Sequence, residues 1–498
     1  MNFEELTDRY REHTSALVIE IDAGGNRREL TQSALHALAQ ERARQLAAAG
    51  IRAGQVIGIR ARNSIDWVAW DLAAVRTGAV LKAFADDTPV GEPGAFLARH
   101  GLALLITDAE GVAAHPAVIA PDAAPGAGVV AADAERGEPG DLHSLVFSSG
   151  TSGRLKGLNV SRRGTEYVIN RFIECFGISS EDRHLIFLPL ANYQQRLSVY
   201  CCLWTGADLV LAPYQRVFGA VRTERPTFLI APPVFYDTVL QLHRKSGEGS
   251  LSELLGGRIR FMITGMAPIR QETLEAFWAD DVRLLEAYGM TESGMIAWNT
   301  LQEYRLGSVG KLIDPDVVTF LPDGELLIHR PAPLSSGYFD TDGAGDDTYR
   351  PDGTIVTGDY GVLDADGYLT LLGRKKDVIA LGSGRKVHPA EIESFFAGVE
   401  GVAELVVVAT PQSNRLGAIV TPTTPDDDSL QAGIRKRIEE VNQGLEAHQR
   451  VMSLVFSAQP LRSDPKFMTG NLKLSRPLAA AHFARAVAAK DQAPGQSA

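Results

Sequence analysis

Four short segments carry residue types at spacings that suit the handling of a polyphosphate. In the first, the apolar run Leu145-Val146-Phe147 empties into Ser148-Ser149-Gly150-Thr151-Ser152-Gly153-Arg154-Leu155-Lys156. Glycines let backbone N–H groups close around an anion, the hydroxyls add donors, and Lys156 adds charge. The Walker spacing is absent, and a flexible surface loop is the other reading of the same residues. In the second, a strand over Val282 to Leu285 leads into Glu286-Ala287-Tyr288-Gly289-Met290-Thr291-Glu292-Ser293. Tyr288 offers a flat face for a purine, Thr291 a hydroxyl for a phosphate, and Glu292 a hard oxygen ligand for Mg²⁺. A helix start with Thr291 and Glu292 in the cap and first turn fits equally. The third is Thr357-Gly358-Asp359, whose carboxylate can accept from two sugar hydroxyls, with Arg374 as a further sugar or phosphate contact; an exposed turn Asp is the plain alternative. The fourth is Met468-Thr469-Gly470-Asn471-Leu472-Lys473-Leu474-Ser475-Arg476. Lys473 there is either a surface lysine with its stem along apolar neighbours or a mobile cation that opposes charge on a phosphoryl group.

Such residues need strand ends and loops to hold them. Short β-rich runs (Val56 to Ile59, His184 to Leu188, Asp208 to Leu211, Thr227 to Ile230, Arg260 to Ile263) alternate with helical patterns such as Leu35 to Ala49 and Gln271 to Trp278. That alternation predicts parallel sheets flanked by helices. Val112 to Gly140, rich in Ala, Pro and Gly, reads as a surface connection. After Pro322-Asp323-Gly324 the texture turns to short strands with turn pairs, which predicts a small β-rich subdomain. Gly373 to Asp377 is charged and turn-like, and the main boundary is placed there. Beyond it the pattern predicts a helix over Pro389 to Phe396, a strand over Glu404 to Ala409, a helix over Leu430 to Leu445 and a strand over Val451 to Phe456. The expected fold is therefore α/β. A large N-terminal domain of parallel α/β sheets with a small β-rich subdomain (1–375) precedes a small mobile α+β C-terminal lid domain (376–488), and 489–498 reads as a disordered tail.

A chain of 498 residues exceeds one ordinary core. Its net charge of -12 excludes a broad nucleic-acid footprint. The cysteines Cys175, Cys201 and Cys202 lack metal-ligand spacing and fit a reducing compartment, the latter two as core thiols. The start has no basic region followed by an apolar one, and Leu197 to Ala212 is too short and interrupted to span a bilayer. A cytoplasmic protein without an integral membrane segment is expected.

Together and in this order, from about Leu30 to Leu478, the four segments resemble the acyl-adenylate-forming superfamily of acyl-CoA synthetases, luciferases and nonribosomal-peptide adenylation domains. Leu188-Pro189-Leu190-Ala191 with Arg196, Thr264-Gly265-Met266-Ala267-Pro268, Leu306 to Lys311 and Thr469 to Arg476 look like the long-chain acyl-CoA synthetase versions. The resemblance implies an ATP- and Mg²⁺-dependent enzyme that adenylates a carboxylic acid, releases pyrophosphate and passes the acyl group to a thiol, with CoA as co-substrate. It implies that Ser148, Ser149, Gly150, Thr151, Ser152, Gly153 and Lys156 hold the β- and γ-phosphates. Gly265, Met266, Ala267 and Pro268 would hold adenine with Ala287, Tyr288 and Gly289, and Asp359 and Arg374 the ribose. Glu292 would bind Mg²⁺, Thr291 the α-phosphate, and Lys473 would be the catalytic lysine. Lys376 would be a hinge, Gly384 would line a thiol tunnel, and Asn192, Tyr193, Arg196, Gly265 and Gly289 would border the acid.

The sequence departs from that pattern at Arg154-Leu155, where a proline is usual, at Gly470-Asn471-Leu472, and at Asn192 and Gln195, where long-chain synthetases carry His and Glu. Asn and Gln neither carry charge nor act as bases near neutral pH. A second reading therefore stays open: an adenylating ligase with an amine acceptor, including diazotase-type members that activate nitrite for an arylamine. Either way the partners are a small-molecule acid and an acceptor. The acid, the acceptor and the oligomeric state are not legible in the residues.

Overall fold

The computed structural model describes residues 1–124, 140–149, 155–247, 249–339, 347–411, 415–468 and 474–492. The chain divides into two compact units. The first comprises 1–150, 155–317 and 329–355, and the second comprises 318–328 and 356–498.

Two sheets build the first unit. In one, the parallel strands run in the order Leu284–Met290, Phe261–Thr264, Phe228–Ala231, Arg183–Ile186, Asp208–Leu211 and Leu17–Ile21. Antiparallel edges close it, Gly294–Trp298 with Lys311–Leu312 on one side and Arg27–Thr31 on the other. The other sheet runs Ser335–Phe339, Leu155–Ser161, Leu142–Ser149, Val80–Ala83, Val56–Arg60, Leu104–Thr107 and Val118–Ile119. Central strands such as Phe228–Ala231 and Val80–Ala83 are buried at every position, which is why they read as unbroken apolar runs rather than alternating ones.

The helix Ile65–Thr77 is buried at every residue from Ile65 to Val75. It is apolar nearly all round, as a helix enclosed by other elements must be, and it lies in one core cluster with strand residues of both sheets. Its two carboxylates are paired. Asp66 takes Arg28 and Arg42 at 2.8 Å each. Asp71, 1% exposed, takes Arg196, 0% exposed.

In the second unit, Val318–Phe320, Glu325–Ile328, Ile355–Leu363 and Leu369–Arg374 form an antiparallel sheet. A three-stranded sheet of Val402–Ala409, Leu416–Pro422 and Val451–Phe456 packs on the helices Pro389–Phe395, Asp428–Gln443 and Arg476–Gln492. The last helix runs past residue 489, where the sequence pattern suggests a disordered tail, because Ala479 and Phe483 are buried in the core and anchor it. Among the described residues no helix is long and apolar enough to cross a membrane.

Candidate active site

In the first unit the candidate site grows from one hairpin. The strand Leu284–Met290 pairs with Gly294–Trp298 through the turn Thr291-Glu292-Ser293, with a bulge at Tyr288 and Gly289. The alternative helix start at Thr291 is thereby overturned, because the backbone after Gly294 is committed to ladder hydrogen bonds. Glu292 accepts the Tyr338 hydroxyl at 2.7 Å on Oε1. One carboxylate oriented in this way suits Mg²⁺, which takes one or two carboxylates and completes its shell from water and phosphate. Glu286, on the same strand, loses water to burial, and its carboxyl is pushed up to about 7; the Gly307 N–H at 3.0 Å offsets part of that rise. The partner segment Leu306 to Lys311 is pinned by Gly310, at φ 90°, where a Cβ would stand 1.9 Å from the Trp298 carbonyl carbon.

Gly265 to Pro268 follows the strand Phe261–Thr264. Met266 is left-handed at φ 69°, a rare conformation for a side-chain-bearing residue and one that concentrates at ligand-handling sites. A Cβ on Gly265 would meet the Ala287 carbonyl at 3.0 Å, and one on Gly289 the Gly294 carbonyl at 2.9 Å, so both stand close to neighbouring backbone. Strand alternation puts Ala287 and the buried Tyr288 on opposite faces.

Beside Ala287 lies an apolar pocket, part of it open to solvent. The helix Arg162–Phe176 contributes Val168, Ile169 and Phe172; the helix Tyr193–Thr205 contributes Gln194, Leu197, Ser198 and Cys201; strands supply Ile230, Ile263, Ala287, Met295 and Trp298. The residues expected to border the acid from this helix do not line it. Arg196 is turned into the core, held by Asp71 with Nε at 3.2 Å and donating to Ser144 Oγ at 2.6 Å and the Tyr200 hydroxyl at 3.0 Å. Tyr193 is buried, with its hydroxyl 2.6 Å from Thr165 Oγ1. Asn192 is the exposed N-cap of the helix. The physical reason is the helical period. Gln194, Leu197, Ser198 and Cys201 share one face, and at about 100° per residue Arg196 falls about 200° around the helix from Gln194 and Ser198. That spacing was legible; which face meets a cavity was not.

The buried polar network around Arg196 includes His143, whose Nε2 lies 3.1 Å from the Tyr200 hydroxyl. Burial first, and the Arg196 charge second, hold its imidazole well below the usual histidine range.

In the second unit, Asp359 and Arg374 are register partners in the hairpin of Ile355–Leu363 and Leu369–Arg374, with Arg374 Nε 3.1 Å from Asp359 Oδ1. Thr357 Oγ1 accepts the Asp359 N–H at 3.0 Å and donates to the Leu326 carbonyl at 2.9 Å, which fixes the strand at that point. Lys375 bridges to the buried Glu325 at 2.6 Å, and Lys376 is exposed in the short 3-10 turn that follows. Gly384 is left-handed, φ 79°, and a Cβ there would meet no described atom within 4 Å.

Gly150, Thr151, Ser152, Gly153 and Lys473 lie outside the described residues, and Ser148, Ser149 and Lys156 are described as strand backbone. Of the flanks of Lys473, Met468 and Leu474 form an antiparallel bridge, and Arg476 grips Glu393 with two hydrogen bonds at 2.8 and 3.0 Å.

The geometry defines a parallel α/β protein with an apolar cavity beside a strand–turn–strand segment. Residues 3–339 match the family described as AMP-binding enzyme, and residues 376–490 match the AMP-binding enzyme C-terminal domain. The chain belongs to the AMP-binding enzyme family. It is 31% identical over 302 residues to a methyl-dioxo-octahydroindenyl propanoyl:CoA ligase of Mycobacterium tuberculosis, covering 58% of this chain and 57% of that protein. It therefore spans a little over half the length of that relative. It is 26% identical to the long-chain-fatty-acid–CoA ligase FadD13 of Mycobacterium tuberculosis over 77% of this chain and 80% of that one. The structure of O-succinylbenzoate coenzyme A synthetase from Bacillus subtilis, in complex with ATP and magnesium ion, superposes with a TM-score of 0.74 at 22% identity, covering 96% of this chain and 98% of that chain.

Proposed function

We propose that the chain is an ATP-dependent ligase that adenylates a carboxylic acid and transfers the acyl group to a thiol, CoA being the acceptor. The observation that carries the reading is the apolar cavity bordered by Ala287, one residue before Tyr288 on the strand that leads to Thr291 and Glu292. An acid seated with its carbon body in the cavity leaves its carboxylate toward the polar end of that hairpin. The carboxylate oxygen attacks the α-phosphorus of ATP and pyrophosphate leaves. Negative charge grows on the α-phosphoryl oxygens, so Thr291 and Lys473 act by positioning and electrostatic opposition rather than by proton transfer. Glu292 holds Mg²⁺, which supplies charge neutralisation to the phosphates when bound. Asp359 and Arg374 take the ribose, Ser148 to Lys156 the β- and γ-phosphates, and Gly265 to Pro268 with Tyr288 the adenine. Lys376 is the hinge, and Gly384 lines the thiol path. CoA ligase relatives and the neighbour that binds ATP with magnesium ion support this reading.

The apolar lining favours a carbon-bearing acid over nitrite, a three-atom polar anion that gains nothing from such walls. The test is pyrophosphate release from ATP–Mg²⁺ with panels of carboxylic acids or nitrite, with and without CoA or an arylamine. Carboxylate-dependent turnover completed by CoA is expected. Turnover with nitrite and arylamine but not CoA would replace this reading with the diazotase-type one.

A further inference from the structure

The turn that carries Glu292 is held by one neighbouring segment, which runs from Arg330 to Tyr338. Arg330 Nη1 donates to the Ser293 carbonyl at 3.1 Å, the Ser335 N–H to the Glu292 carbonyl at 3.0 Å, and the Tyr338 hydroxyl to Glu292 Oε1 at 2.7 Å. The backbone of the turn and one oxygen of its carboxylate are therefore fixed together. Tyr338 is aimed at Glu292 by an irregular strand. The pairing of Ser335–Phe339 with Leu155–Ser161 shifts register between Ser335 and Tyr338, and a bulge re-aims the side chains beside it. The buried Ser335 hydroxyl sets that bulge. It donates to the Gly337 carbonyl at 3.1 Å and accepts the Gly337 N–H at 3.3 Å and the Tyr349 hydroxyl at 2.9 Å. The Tyr349 ring meets the Tyr338 ring edge-on, with centroids 5.2 Å apart. The Tyr338 ring also packs on the buried cluster of Val146, Leu158, Val160, Tyr193 and Leu334. A ring held on two sides presents its hydroxyl at one point, and that point orients a carboxylate.

Resting on the placing of Mg²⁺ at Glu292 in the adenylation reading above, we infer that Tyr338 is a positioning residue that makes this carboxylate a one-oxygen ligand and so selects Mg²⁺ over Ca²⁺. Oε1 commits a lone pair to the Tyr338 hydroxyl. That weakens it as a second metal ligand and favours binding through Oε2 alone. A small octahedral ion that keeps several waters is suited by one carboxylate oxygen. Ca²⁺, which collects about six to eight oxygens and readily takes both from one carboxylate, is not. A Glu side chain oriented beforehand also loses less rotamer freedom when it meets the ion.

The experiment measures ATP binding by calorimetry with no acid present, at saturating Mg²⁺, at saturating Ca²⁺ and in EDTA. The full-length protein should bind ATP more tightly with Mg²⁺ than with Ca²⁺. Tyr338→Phe keeps the ring and removes the hydroxyl. In it the ratio of the two Kd values should move towards Ca²⁺ by about tenfold, the scale on which groups behind a metal ligand act. Binding in EDTA and the unliganded Tm should stay near the parent values. A merely structural role for Tyr338 would weaken binding alike in all three conditions and leave the ratio unmoved. In a Glu292→Gln background the same substitution should no longer move the ratio, because Tyr338 acts through that carboxylate. A parental ratio in Tyr338→Phe, or a shift that persists in Glu292→Gln, overturns the assignment of Tyr338. If Glu292→Gln by itself leaves the Mg²⁺ dependence of ATP binding unchanged, the metal is not at Glu292 and the role of Tyr338 falls with it. An absence of acid-dependent pyrophosphate release from protein that still binds ATP with Mg²⁺ overturns adenylation and leaves Glu292 and Tyr338 in place.

Discussion

Replacing Arg196 with methionine removes a guanidinium that is 0% exposed and leaves the Asp71 carboxylate, 1% exposed, inside the first unit. The carboxylate then keeps the Tyr200 hydroxyl at 2.6 Å and loses the Arg196 Nε and Nη2 donors. Ser144 and Tyr200 each lose a donor as well. Breaking a buried pair from one side costs about 3–5 kcal/mol, because a charge is stranded rather than because the pair was strongly stabilising. The loss should appear as a fall in Tm of several degrees, measured by calorimetry or fluorescence. Adding Asp71→Asn should restore much of it, since the stranded group is then neutral, and the double-mutant cycle should give a coupling of about 2 kcal/mol or more. Per folded molecule, KM for the acid should stay near the parent value. An unchanged Tm together with a raised KM would refute the reasoning and return Arg196 to the acid pocket that the family resemblance implies for it.

Further outcomes are expected. His184, buried with Nδ1 3.1 Å from the Phe228 carbonyl, has its imidazole brought down to about 4 by burial. The unfolded state binds the extra proton between about pH 6.5 and pH 4, so stability is full above that window and is lost as pH falls through it; an unfolding midpoint flat across the window would contradict this. Gly310→Ala forces a Cβ onto the Trp298 backbone at φ 90° and should abolish soluble expression or lower Tm sharply, checked by yield and calorimetry. Cys201→Phe fills the cavity and should raise KM for the acid by about tenfold or more while ATP affinity, read by titration, stays within a few-fold. Glu292→Gln should weaken the Mg²⁺ dependence of pyrophosphate release, read as a higher Mg²⁺ concentration at half-maximal rate.

The central parallel strands were legible because a strand covered on both faces is written as an apolar run, as in Asp208–Leu211, which emerges with the ends expected of it; Val451–Phe456 also emerges with its expected ends although it is only partly buried. The hairpin at Thr291 was ambiguous because Thr and Glu suit a helix cap and a turn alike, and the ladder to Gly294–Trp298 that decides between them is a tertiary fact. The cavity face of Tyr193–Thr205 was hidden for a similar reason. The partner that pulls Arg196 into the core, Asp71, lies on a helix far away in sequence, so nothing local marks Arg196 as a core cation. Cys201 and Cys202 read as core thiols; Cys202 is in the core and Cys201 borders the cavity as well, a distinction of one step around the helix. At the C-terminus, Arg476–Gln492 outlasts its apolar signal because two buried residues, Ala479 and Phe483, suffice to anchor it.

Activation of an acid as its AMP anhydride is tested most directly by acid-dependent exchange of labelled pyrophosphate into ATP, with the nucleotide product resolved as AMP or ADP. Exchange that requires a carboxylic acid, AMP as the sole nucleotide product on addition of CoA, and loss of both in Lys473→Ala with ATP binding retained are expected. Exchange without any acid, ADP as the product, or full exchange in Lys473→Ala would contradict it.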